Sequence, residues 1–182
     1  VEALTNALKV RTRDAMPEEW GMTQNNLGSA LQALGEHEHN SAHLRAAIGS
    51  FDAAFTVRSR ETAPIFWANT QGNLGLARQW LGEMTGDSDQ FDQAQAAYNL
   101  CLKERKPDIE PFSWAQTRWN QGDLALARHE LKPDLSLLND ARAHVLAARG
   151  IFAEGSEHQT ARCDELLVKI DAAKAELRPD NP

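Results

Sequence analysis

An all-α chain, a solenoid of antiparallel helical hairpins, is what this sequence predicts, and three observations predict it. The stretch PEEWGMTQNNLG at 17–28 returns as PIFWANTQGNLG at 64–75 and as PFSWAQTRWNQG at 111–122, a step of 47 residues each time. Apolar residues recur at helical spacing, and no stretch alternates apolar with polar as a half-buried strand would. Proline opens each of the three copies, at Pro17, Pro64 and Pro111, where the missing N–H costs nothing in the first turn of a helix. A fixed period of this length marks a repeat array, whose units bury their apolar faces on one another.

In chain order, residues 1–13 read as the second helix of a preceding repeat: Leu4, Ala7 and Val10 stand 47 residues before Phe51, Ala54 and Val57. A chain beginning at Val1 inside a repeat is expected to be a piece of a longer array. The first full repeat spans 14–60. Trp20, Leu27, Leu31 and Leu34 form one face of a first helix, which Gly35 is expected to stop in the left-handed conformation. Leu44, Ala47, Ile48, Phe51, Ala54 and Phe55 mark the second helix. Its expected N-cap is Asn40, in register with Asp87 and Asp134, residue types whose side chains accept from free helix N–H groups.

The second repeat, 61–107, follows the same grammar, with Trp67, Leu74, Ala77 and Leu81, a stop at Gly82, then Phe91, Ala94, Tyr98, Cys101 and Leu102. The third, 108–155, departs from it. Gln121 takes the Leu27/Leu74 place, and Arg128 and His129 replace Leu34/Leu81 and Gly35/Gly82. A last helix over 156–177, with Ala161, Leu166, Leu167, Ile170, Ala173 and Leu177 inward, is expected to cap the stack, and 178–182 is a proline-broken tail.

Composition narrows the function classes. The 182 residues include 26 acidic and 19 basic side chains, a net charge of −7, and acids outnumber bases in every third of the chain. Nucleic acid and an anionic membrane are therefore not expected as partners. Cys101 and Cys163 share no CxxC or zinc-like spacing, so no disulfide framework is expected. No long apolar run suggests a membrane span, and a cytoplasmic setting is expected. His37, His39 and His43 cluster with Glu36 and Glu38 in one inter-helix link, but no other repeat keeps them, so no metal or other cofactor is expected. No nucleophile–base pair, phosphate loop or HExxH motif offers catalysis a foothold.

Gln24-x2-Leu27-Gly28-x2-Leu31 followed by Ala47-x3-Phe51 and Ala54, and Gln71-x2-Leu74-Gly75 followed by Ala94-x3-Tyr98 and Cys101, resemble the core of the tetratricopeptide repeat. The resemblance covers nearly the whole chain, although the usual period is about 34 residues, and it looks like a long-repeat bacterial variety. It implies a right-handed superhelix whose first helices line a concave groove that takes a peptide or partner helix, a non-catalytic protein-interaction role.

On that resemblance the groove residues are Asn26, Asn73 and Asn120, one column at the repeat period, with Asn25, Asn69, Gln79, Trp80, Gln116 and Trp119 beside them. A carboxamide both donates and accepts, so a row of them can hold an extended peptide backbone, as other arrays of this family do. The same amides could equally bond within their own repeat. Trp80 and Trp119 lie outside the repeating tryptophan column, and are either anchors for a ligand side chain or inter-repeat packing. Arg11, Arg58 and Arg105 form a further column, expected to complement helix ends and pair with Asp14, Glu61 and Asp108. Two other roles are carried forward: a scaffold that self-associates through exposed repeat ends, and a regulatory segment of a larger protein.

Overall fold

The computed structural model describes residues 1–177; the tail at 178–182 lies outside them. Among the described residues there are eight helices and no strand: α1 Glu2–Val10, α2 Pro17–His37, α3 Ser41–Phe55, α4 Pro64–Thr85, α5 Ser88–Glu104, α6 Pro111–Leu131, α7 Leu135–Phe152 and α8 Glu157–Glu176. Where one continuous array was expected, the chain divides into two compact units, Val1–Glu104 and Arg105–Pro182.

In the first unit α2 pairs with α3 and α4 with α5, while α4 also packs on α3 and touches α2. Leu31, Ala47, Phe51, Leu74 and Ala77 make a core shared by the two hairpins. In the second unit α6 pairs with α7, and α8 packs on α7 and touches α6. Its core joins Leu138, Val145 and Phe152 of α7 to Cys163, Leu166 and Ile170 of α8. Helix α8 therefore supplies core rather than only a lid. Leu166 and Ile170 face inward, whereas Ala161 and Leu177 are exposed.

Glycines set how closely the paired helices approach. A Cβ at Gly28 would lie 2.6 Å from the Phe51 ring, and one at Gly75 would lie 2.6 Å from the Tyr98 ring. Gly122 stands likewise against Val145. Gly35 and Gly82 serve the same purpose, facing Leu44 and Phe91 from inside their helices. That corrects their reading as helix stops: α2 runs on to His37 and α4 to Thr85. The left-handed stop of α4 is Gly86, at φ 68°, and the turn after α2 holds His39 at φ 49°.

The cap residues stand at the second-helix starts. Asn40 accepts from the Ala42 N–H at 2.9 Å, Asp87 from Asp89 at 3.0 Å and Asp134 from Ser136 at 2.7 Å. The arginine column finds different partners from the adjacent acids. Arg11 donates to the Thr23 hydroxyl at 3.1 Å and Arg105 to the Thr117 hydroxyl at 2.9 Å. Both threonines in turn donate to backbone carbonyls one helical turn earlier. Arg58 instead pairs with Glu18 at 3.2 Å and lies 4.5 Å over the Phe66 ring.

The third repeat's departures are polar core, not decay. Gln121 is 2 % exposed and accepts from Arg118. His129, also buried, takes the Asp134 N–H on Nδ1 at 3.0 Å. Both cysteines are buried thiols, and burial above all pushes the Cys163 thiol up from its ordinary pKa.

Candidate functional site: the uncovered face of α2 and α4

Helices α3 and α5 cover one side of α2 and α4; the opposite side is open. On α2 it presents Met22, Asn26, Ser29, Ala33 and Glu36, and on α4 Ile65, Asn69, Asn73, Leu76 and Trp80, each set at the spacing of one helix face. Met22 and Ile65 are 45 % and 47 % exposed, apolar surface that the hairpin packing leaves to water.

The asparagine column does not act as one. Asn26 is exposed, Asn73 half-buried, and Asn120 buried. Asn73 Nδ2 donates to the Ser29 hydroxyl at 3.3 Å, and that hydroxyl donates to the Asn25 carbonyl at 3.1 Å. The Thr70 hydroxyl lies 3.0 Å from Asn25 Oδ1 and 3.0 Å from the Phe66 carbonyl, so its one proton serves either. Asn25 and Asn73 thus tie α2 to α4. Asn120 Oδ1 accepts from Gln116 Nε2 at 2.8 Å, along α6 itself. Asn26 and Asn69 are the exposed amides.

Gln79 is fully buried, which removes it from any displayed face. It accepts from the Tyr98 hydroxyl at 3.0 Å and donates to Glu83 Oε1 at 3.0 Å. A tyrosine at the Phe51 place brings a hydroxyl into the core, and Gln79 satisfies it. Trp119 is half-buried against the second unit's core. The Arg162 guanidinium of α8 lies 4.3 Å over its ring, and its indole N–H is buried without a partner. Trp119 is therefore packing within the second unit, on a face of α6 that α8 occupies.

Trp80 differs. Half-buried near the end of α4, it lines a concavity of about 440 Å³ with Met84, Glu83, Glu36 and His39. Sequence reasoning found Trp80 but missed its surroundings. The signal was available: the turns at 36–40 and 83–89 hold Glu36, Glu38, Glu83, Asp87 and Asp89 and no lysine or arginine. In the same region His43 pairs with Glu38 at 3.2 Å. Among the described residues no group of three or more His, Cys, Asp or Glu side chains is placed to hold a metal ion. No described helix is long and apolar enough to cross a membrane. No known family model matches the chain, and no curated protein or solved structure is significantly similar to it.

Proposed function

We propose that the chain is a tetratricopeptide-like solenoid, a right-handed superhelical array, that works without catalysis as a protein-interaction module. Its ligand is a peptide segment or partner helix lying on the open face of α2 and α4. One observation carries this reading: that face sets apolar Met22, Ile65 and Trp80 among the exposed amides Asn26 and Asn69, the mixture of anchor surface and backbone-binding groups that peptide recognition needs. Asn26 and Asn69 would fix the ligand backbone. Asn25 and Asn73 would keep the two helices in register behind it.

The test is selection of peptides from a displayed random library against the full chain, followed by titration into Asn26→Ala, Asn69→Ala and Ile65→Ser variants. Binding weakened about threefold to tenfold by each change, with thermal stability unchanged, is the expected result. Selected peptides that bind all three variants as well as the parent would place the ligand elsewhere and defeat the reading.

A second reading rests on α1, which buries none of its residues and leaves Val1 and Val10 48 % and 76 % exposed. Self-association through that helix would make apparent mass rise with concentration in light scattering. A Val10→Glu change would abolish the rise.

A further inference from the structure

We propose that the concavity at Trp80 is a cation site, built to take the lysine or arginine side chain of a basic partner segment. This rests on the peptide-binding reading and names the chemistry of its anchor. Four features point the same way. First, the indole face of Trp80, beside the Met84 thioether, offers a polarisable apolar wall, and a tryptophan face is the aromatic surface that attracts cations best. Second, Glu36 and Glu83 line the same concavity from two different helices, so a cation entering it meets carboxylates on two sides.

Third, α2 ends at His37 and α4 at Thr85, so the concavity lies at the C-terminal, negative poles of two helices. Fourth, the Glu83 carboxylate is held in place. Tyr98 donates to Gln79, and Gln79 donates to Glu83 Oε1, each at 3.0 Å, a buried relay that orients a surface acid before any ligand arrives. The wider field agrees. Helices α2 and α4 carry four glutamates and one arginine, and that arginine, Arg78, reaches away to Gln90 of α5 at 3.2 Å. A basic segment is thus steered to this face and an acidic one repelled.

The experiment uses the full chain with labelled methionine methyl and tryptophan indole groups, watched by NMR; three methionines and five tryptophans keep the Met84 and Trp80 signals separable. The probes are N-acetyl-arginine methylamide, its neutral citrulline counterpart and N-acetyl-glutamate methylamide. Arginine is expected to move the Trp80 and Met84 signals, weakly and less at high salt, with citrulline and glutamate at least about tenfold weaker. Glu36→Gln and Glu83→Gln together are expected to cost about tenfold. Glu36→Gln alone, on an exposed side chain outside the Tyr98–Gln79 relay, keeps the test sound should the double variant misfold.

Citrulline binding as well as arginine, or arginine binding unchanged in Glu36→Gln, would overturn the proposal. So would signals that move with protein concentration alone, since the occupant would then be a second copy of the chain. Library peptides that bind the α2–α4 face without any need for lysine or arginine would sink this inference and leave the peptide-binding reading standing. Arginine binding at Trp80 with no peptide binding the face would do the reverse.

Discussion

At the residue scale the repeating columns separate by what each side chain touches. The glycine column answers a steric demand. Gly28→Ala and Gly75→Ala would drive a methyl to 2.6 Å from an aromatic ring in a filled core, and each is expected to cost about 1–3 kcal/mol in chemical denaturation. Gly49, in the middle of α3, has nothing within 4 Å of its would-be Cβ, so Gly49→Ala is expected to stabilise by about 0.5–1 kcal/mol. Equal effects at Gly28 and Gly49 would mean helix propensity, not close packing, governs the column. The asparagine column answers no single demand. Asn120→Ala, which removes a buried acceptor from Gln116, should cost about 1–2 kcal/mol, whereas Asn26→Ala on an exposed site should stay within about 0.5 kcal/mol. His144 adds a dependence on pH. Burial first, then the Arg118 guanidinium at 3.2 Å, holds its pKa below the ordinary imidazole value. The unfolded chain therefore takes up a proton that the native one resists, and stability falls as pH drops below about 6.5. A His144→Gln variant should lose less stability than the parent between about pH 7 and pH 5, as read from denaturation midpoints. A parallel decline in both would remove His144 as the cause.

At the element scale, helix identity and helix starts were legible because they are set locally. Proline in the first turn and a short polar cap act within a few residues, and α2, α4 and α6 begin at Pro17, Pro64 and Pro111. Asn40→Ala should accordingly cost about 1 kcal/mol through the lost bond to Ala42, as a lower midpoint in thermal unfolding. Helix ends were misplaced where glycine has two uses. Gly35 and Gly82 were read as stops, yet both sit against a ring or a leucine of the facing helix, and only Gly86 has the left-handed backbone that glycine relieves. One sequence cannot tell a glycine that admits a neighbour from one that bends the chain, since that depends on where the next helix lies. The same cause hid the fate of Gln79. Its burial follows from the hydroxyl that Tyr98 carries into the core, a pairing between α4 and α5 that no periodicity in α4 encodes. The arginine column was legible as helix-end chemistry, but its threonine partners lie on the following helix and were out of reach of a reading confined to adjacent acids.

At the scale of the whole molecule, the repeat made the all-helical class plain, but it could not show that the chain gathers into two compact units or that α8 belongs to the core of the second. Packing of α8 on α7 with contact to α6 has the same form, within its own unit, as packing of α4 on α3 with contact to α2. The sequence hid this because α8 lacks the tryptophan, asparagine and glycine columns; it keeps only apolar spacing, in Cys163, Leu166 and Ile170. Its contribution is nonetheless that of a core helix. Ile170 is fully buried in a cluster with Phe152, Val145 and Leu138, so Ile170→Ala should cost about 2–4 kcal/mol through lost transfer energy and an unfilled cavity. Hydrogen exchange decides what that loss means. If α8 were a detachable lid, the variant would release the amides of α8 and leave α6 and α7 protected. As an integral third helix, its weakening should accelerate exchange in α6, α7 and α8 by a common factor, because all three then open in one cooperative event. Exposed Val168 on the same helix provides the control: Val168→Ala changes helix surface without touching the cluster, and exchange in α6 and α7 should stay as it is in the parent chain.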